Sequence, residues 1–252
     1  MDYDRLLKLA VDLGCCLMSS GAEIYRVEES MGRLLSAYSL ADAEVFAIPN
    51  CIIVSVTMPG GHSATRMCRV GPHGTDMELL ERCNALCRDL CANTPPLDEA
   101  RARLDEVSAR KHAFSPAQTL LGYALAPAFF APLFGGGALD GACAFVVGFV
   151  VGLFQVYGLR FMLANSFFHT AVSSAAASLL ALGLVRLGFG TNVDTITISV
   201  LMMLVPGVAL TNAMREIMAG DTMSSLSHMA DALLSAVAIA LGAAVGLAAL
   251  RL

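Results

Sequence analysis

Charge is spread so unevenly along this chain that its second half cannot present a water-soluble surface. Of the 16 Lys and Arg residues, 12 precede Ser115, as do 16 of the 21 Asp and Glu. From Ser115 onward only Arg160, Arg186, Arg215, Arg251, Asp140, Asp194, Glu216, Asp221 and Asp231 carry formal charge. A segment that poor in ions must turn its outward face to lipid. The part before it has an ordinary charge density and suits water. The boundary falls at ARKHAFSP, giving a soluble domain at 1–112 and a transmembrane domain at 113–252.

The same residues exclude several functions. The net charge of −5 comes with no basic stripe interleaved with aromatics, so nucleic acid is not an expected partner. The N-terminus, MDYDRLLKLAVDLGCC, carries acids where a signal peptide needs a basic region, so the soluble domain is expected to stay in the cytoplasm. Its seven cysteines (Cys15, Cys16, Cys51, Cys68, Cys83, Cys87, Cys91) lack the spacing of a secreted framework and read as free thiols. Cys83, Cys87 and Cys91 share a helical face, and His62 and His73 flank a strand. Without a paired CxxC, packing is the preferred reading over a metal site. No GxSxG, HExxH or phosphate-cradling loop appears. No metal, no cofactor and no enzymatic activity are expected.

Periodicity makes the first domain α+β. Leu6, Leu9, Leu13 and Leu17 recur at helical spacing, and so do Ile24, Val27, Met31, Leu34 and Leu35 in a second amphipathic helix. Three β-branched runs follow: AEVFAIP, CIIVSVTM and SATRMCRV, the last two joined by PGGH. Two more helical patterns, MELLERCNALCRDL and LDEARARLDEVSAR, complete it.

Five membrane spans are expected, at 116–134, 139–157, 161–185, 194–214 and 229–250, each near the ~20 residues that cross a bilayer. With the soluble domain inside, Arg110, Lys111, Arg160 and Arg215 fall on the cytoplasmic side, against Arg186 and Arg251 outside. Ala144, Gly148 and Gly152, and again Ala238, Gly242 and Gly246, form small-residue stripes that let helices approach closely, within the chain or between subunits. In the third span Asn165, His169 and Ser173 share a face: a proton relay, or a hydrogen-bonded His near the headgroups. His228 and Asp231 open the fifth span. The fourth is broken at Pro206-Gly207, with Thr211, Asn212, Arg215 and Glu216 just beyond. Such a break either points a half-helix N-terminus at an anionic substrate or is a plain proline kink followed by loop charges. On the first reading Pro206, Gly207, Thr211, Asn212 and Arg215 bind substrate, and His169, Glu216 and Asp231 are candidates for proton coupling.

Three stretches in order, GAEIYRVEESMGRL, FAIPNCIIVSV and PGVALTNAMREIMAGD, resemble the threonine/serine exporter family. The likeness is to its N-terminal half, a cytosolic domain with five membrane helices that also occurs as a separate YjjP-like subunit. The resemblance implies a secondary exporter of the bacterial inner membrane, driven by the proton gradient and moving threonine and serine or a dicarboxylate such as succinate. It singles out Glu23, Tyr25, Arg26 and Glu28 as a cytosolic motif. The family's second membrane module does not follow here, so a separate small membrane subunit, or a homo-oligomer, is expected to complete the transporter. A membrane-anchored enzyme or a sensor acting through the cytosolic domain is the rival reading.

Overall fold

The computed structural model describes residues 2–40, 42–58, 61–71, 74–109, 114–157 and 165–249. His73, Arg110, Lys111, Arg160, Arg251 and the start of the expected third span (161–164) lie outside them, as do Pro59 and Gly60 of the PGGH turn. The chain divides into two compact units: Met1–Ala113 with Val208–Met229, and Phe114–Gly207 with Ala230–Leu252. The first thus adds to the expected soluble domain a stretch read from sequence as the end of one span and the approach to the next.

In the first unit α1 (Tyr3–Ser19) and α2 (Ile24–Ala37) lead into β1 (Ala43–Ile48), β2 (Cys51–Thr57) and β3 (Ser63–Arg69), followed by α3 (Met77–Asn93) and α4 (Leu97–Ala109). The sheet is an antiparallel meander of order β1-β2-β3, with Ile48 opposite Cys51 at the first turn and Ile53 opposite both Phe46 and Met67. Alternation sends Ile52, Val54 and Val56 into a core shared with Leu6, Leu13, Ile24, Met31 and Leu34. The helix ends are chemically marked. The Asp2 carboxylate accepts from Arg5 N–H and that of Asp76 from Leu79 N–H, satisfying donors that a helix cannot pair internally. Cys83 and Cys87 are buried in the core, as the packing reading requires of that face.

The second unit contains α5 (Pro116–Leu133), α6 (Ala138–Tyr157), α7 (Ser166–Arg186), the short α8 (Val193–Leu201) and most of α10 (Thr222–Ala248); α9 (Gly207–Ala219) begins at its edge. Ser115 and Gln118 form a reciprocal capping box ahead of Pro116, the first residue of α5. Among the described residues three helices are long and apolar enough to cross a membrane: Ala138–Tyr157, Ser166–Arg186 and Thr222–Ala248. This is a membrane protein. The expected fourth span, 194–214, is two helices, α8 and α9, separated by Met202–Pro206. At 1.5 Å per residue they are about 14 and 20 Å long, each short of the ~30 Å hydrocarbon layer.

Both small-residue stripes are occupied from within the chain. A Cβ on Gly148 would stand 2.3 Å from the Tyr123 carbonyl oxygen of α5, and one on Gly242 would stand 2.1 Å from the Ala171 carbonyl oxygen of α7. Beside the second seam the Ser174 hydroxyl donates to the Ile239 carbonyl at 2.7 Å. The question of intra- or intermolecular packing is answered for these faces: α6 closes on α5, and α10 on α7.

Asp140, almost completely buried, ties two loops together. Its carboxylate accepts from Thr191 N–H (2.7 Å), the Thr191 hydroxyl (2.6 Å), Asn192 N–H (3.1 Å) and Gly137 N–H (3.2 Å). Asp140→Ala would strand these donors, at about 1–3 kcal/mol for each that water cannot reach. The variant is expected to melt clearly below wild type in detergent; an unchanged melting temperature would mean that solvent already satisfies the loop.

Candidate functional site

The N-terminus of α2 is built unusually. Glu23 occupies the N-cap position with extended backbone, yet its side chain makes no capping hydrogen bond. Its carboxylate instead meets Arg215 Nη1 at 2.5 Å and Arg26 Nε at 3.2 Å. The anion facing the helix start comes from far along the chain: Glu216 Oε1 lies 3.5 Å from Ile24 N–H. A carboxylate there complements the partial positive charge of the helix end. The other oxygen of Glu216 accepts from Nδ1 of His228 at 2.8 Å. Glu216 has no exposed surface, and Glu23 and His228 are buried to within a tenth of full burial.

Helical spacing explains how one short segment supplies this cluster. Asn212 and Glu216 stand four residues apart on α9 and point the same way. The Asn212 amide donates to the Gly21 carbonyl at 3.4 Å. Arg215 reaches Glu23 from the flank of that face. Asp221 Oδ1 accepts from Ser224 N–H to start α10, and His228 follows two turns along. Buried hydroxyls fasten the turn: Ser225 donates to the Ala213 carbonyl at 2.8 Å, and Ser224 to the Ala47 carbonyl at 3.4 Å. Ala47 also donates its N–H to Glu28 at 2.8 Å. Burial raises the Glu28 carboxyl above its ordinary range, and this hydrogen bond pulls the other way. All three stretches singled out in the sequence therefore meet in one place.

The expected residues divide into two groups. Glu23, Arg26, Asn212, Arg215 and Glu216 come together; Glu28 lies in the same unit, against Ala47. Tyr25 is more than a third exposed and accepts a long hydrogen bond from Arg26. Thr211 lies on the exposed side of α9. Pro206, Gly207, His169 and Asp231 belong to the other unit. There His169 Nε2 lies 3.3 Å from the Phe154 carbonyl, and Asp231 is exposed. Sequence reasoning missed His228 as a site residue. The signal was present, because it stands twelve residues after Glu216 across a turn marked by Gly220-Asp221.

Residues 8–250 match the family described as "Putative threonine/serine exporter". The chain belongs to that family. Among relatives of the exporter family member described here, "Probable threonine/serine exporter" of Mycobacterium tuberculosis is 24% identical over 244 residues, covering 96% of this chain and 46% of its own length. "Pheromone-regulated membrane protein 10" of Debaryomyces hansenii is 29% identical over 175 residues, covering 68% of this chain and 16% of its own. Its Saccharomyces cerevisiae namesake is 29% identical over 170 residues, covering 65% and 21%. The chain thus spans less than half the length of each of these relatives. No solved structure matches it.

Proposed function

We propose that this chain is a subunit of a secondary transporter that exports a small carboxylate-bearing metabolite, threonine, serine or a dicarboxylate such as succinate, driven by the proton gradient. The observation that carries the reading is a cluster of two buried carboxylates and a buried histidine, with the half-exposed Arg215 on one of the carboxylates, joining residues 21–26 to residues 212–228. Two acids and a histidine withdrawn from water are apt for taking up and releasing protons. An arginine already holding a carboxylate is apt for receiving another. On this reading Glu23 keeps Arg215 occupied in the resting state and yields it to the carboxylate of the substrate, while Asn212 and Thr211 serve its hydroxyl or amine. Glu216 and His228 handle the proton, and Asp231 and His169 are further stations for it. The Pro206-Gly207 break frees α9 to move. The protein resides in a bacterial inner membrane with its N-terminal domain in the cytoplasm. A separate small membrane subunit completes the pathway.

Proteoliposomes test this directly, with this chain alone and with its candidate small partner, an imposed pH gradient, and labelled threonine, serine and succinate. Gradient-dependent flux of one of them supports the reading; none under any condition removes it. The exchange of carboxylates has its own signature. Arg215→Gln is expected to weaken the apparent affinity by roughly 1.5–3 kcal/mol, about 10- to 150-fold. Glu23→Gln, which releases the arginine from its internal competitor, is expected to strengthen it. Equal losses in both variants would make the pair a structural clamp and move the substrate elsewhere.

A further inference from the structure

The N-terminal unit holds a second chemical feature that transport does not use. Cys15 on α1 and Cys68 on β3 are separated by 53 positions in sequence, and the Cys15 Sγ–H points at Cys68 Sγ across 3.3 Å. Both are half-buried rather than sealed in the core. They line one wall of a cleft of about 420 Å³ together with Asp12, Cys16, Ser19 and Arg101. A disulfide requires the sulfurs to close to about 2.05 Å, little more than an ångström nearer than they stand. The neighbouring Cys16 lines the same cleft and its thiol is lowered by a hydrogen bond from Cys83, so it is the competing thiol that peptide mapping must tell apart from this pair.

We propose that Cys15 and Cys68 are a reversible dithiol–disulfide pair, oxidised by a small-molecule disulfide that enters this cleft. The Cys68 thiolate attacks one sulfur of the small disulfide, forming a mixed disulfide and releasing the first small thiolate, which takes up a proton. Cys15 then gives up its proton and attacks Cys68 Sγ, expelling the second small thiol. Two cysteine thiols and one small disulfide become one protein disulfide and two small thiols, so atoms and electrons balance. Cys68 attacks and Cys15 resolves because Cys15 is the hydrogen-bond donor of the pair. Burial, reinforced by that hydrogen bond, also pushes the Cys15 thiol well up, against early ionisation. The bond would fasten β3, an edge strand of the sheet, to α1.

The experiment uses the purified 252-residue chain in detergent with oxidised glutathione as the probe, followed by alkylation of remaining thiols, digestion and mass mapping. The expected result is loss of two alkylatable thiols and a cross-linked peptide pair joining residues 15 and 68, reversed by dithiothreitol. Cys15→Ser should accumulate glutathione on Cys68, whereas Cys68→Ser should leave Cys15 unmodified. The proposal is overturned if Cys15 and Cys68 remain alkylatable while other thiols oxidise. A dominant bridge between any other pair overturns it equally, and the mapping of the unmutated protein decides the matter even if a variant fails to fold.

Discussion

Flux that responds to a pH gradient is expected to fall on the order of 100-fold in Glu216→Gln, with the protein still folded. The estimate is that for removing a side chain that must carry a proton at the reacting step. The amide has nearly the shape of the carboxylate, and its oxygen still accepts from His228 Nδ1–H or Ile24 N–H, so the cluster is not dismantled. What it lacks is a proton to exchange. Residual counterflow, which needs substrate binding but no net proton movement, should persist in the variant. Glu216→Ala separates the fold from the chemistry. It removes the acceptor that His228 Nδ1 and Ile24 N–H face, at about 1–3 kcal/mol for a donor that stays unsatisfied, and should lower thermal stability where the glutamine variant does not. Wild-type gradient-driven flux in the glutamine variant would return this residue to a purely architectural role.

The second large effect is expected at a residue with no polar chemistry. Gly242→Ala puts a methyl group 2.1 Å from the Ala171 carbonyl oxygen and 2.9 Å from Ser174 Cβ. The first neighbour is backbone, so α7 and α10 must separate rather than a side chain rotate. Overpacking of this kind costs typically 1–3 kcal/mol and more where backbone must shift. The matched control is Gly122→Ala on α5, where an added Cβ meets nothing within 4 Å. Thermal denaturation in one detergent should show a clear loss for the first and little change for the second. Equal behaviour would mean that α10 is not held this closely against α7.

Charge segregation and hydrophobic period made the outline legible in the amino acids. The helices and three strands of the α+β domain and the span at α6 follow from them within a few residues, as does the C-terminal end of α7; the strand order does not. The small-residue stripes were readable as close-packing faces, but a stripe does not say which helix fills it. Partner identity is also what hid the cluster. Period 3.6 places Asn212 and Glu216 on one face of α9, yet nothing local says that the face turns to residues 21–24, about 190 positions away. Arg215 and Glu216 consequently read as substrate ligand, proton carrier or loop charge. The start of α10 was obscured for another reason. SSLSHMAD resembles a polar approach to a membrane helix, whereas Ser224 and Ser225 are buried because carbonyls at Ala47 and Ala213 accept their hydroxyls. Asp140 looked like one more sparse charge, since a carboxylate that gathers loop N–H groups leaves no periodic trace.

One property of α9 bears on how the molecule comes into being. Its buried residues are Asn212, Ala213 and Glu216, while Leu210, Met214, Ile217 and Met218 face outward. This inverts the pattern of a helix folding in water. The ribosome releases Glu23 and the bare start of α2 long before Arg215 and Glu216 exist. Domains fold as units during synthesis, N-terminal first, so the nascent N-terminal unit carries Glu23 with Arg26 but without Arg215, and a helix end without its anion. These are met only when residues 208–229 arrive, by which time α5, α6 and α7 have been made. The electrostatic match of the first-made unit is therefore completed only by one of the last segments to be synthesised.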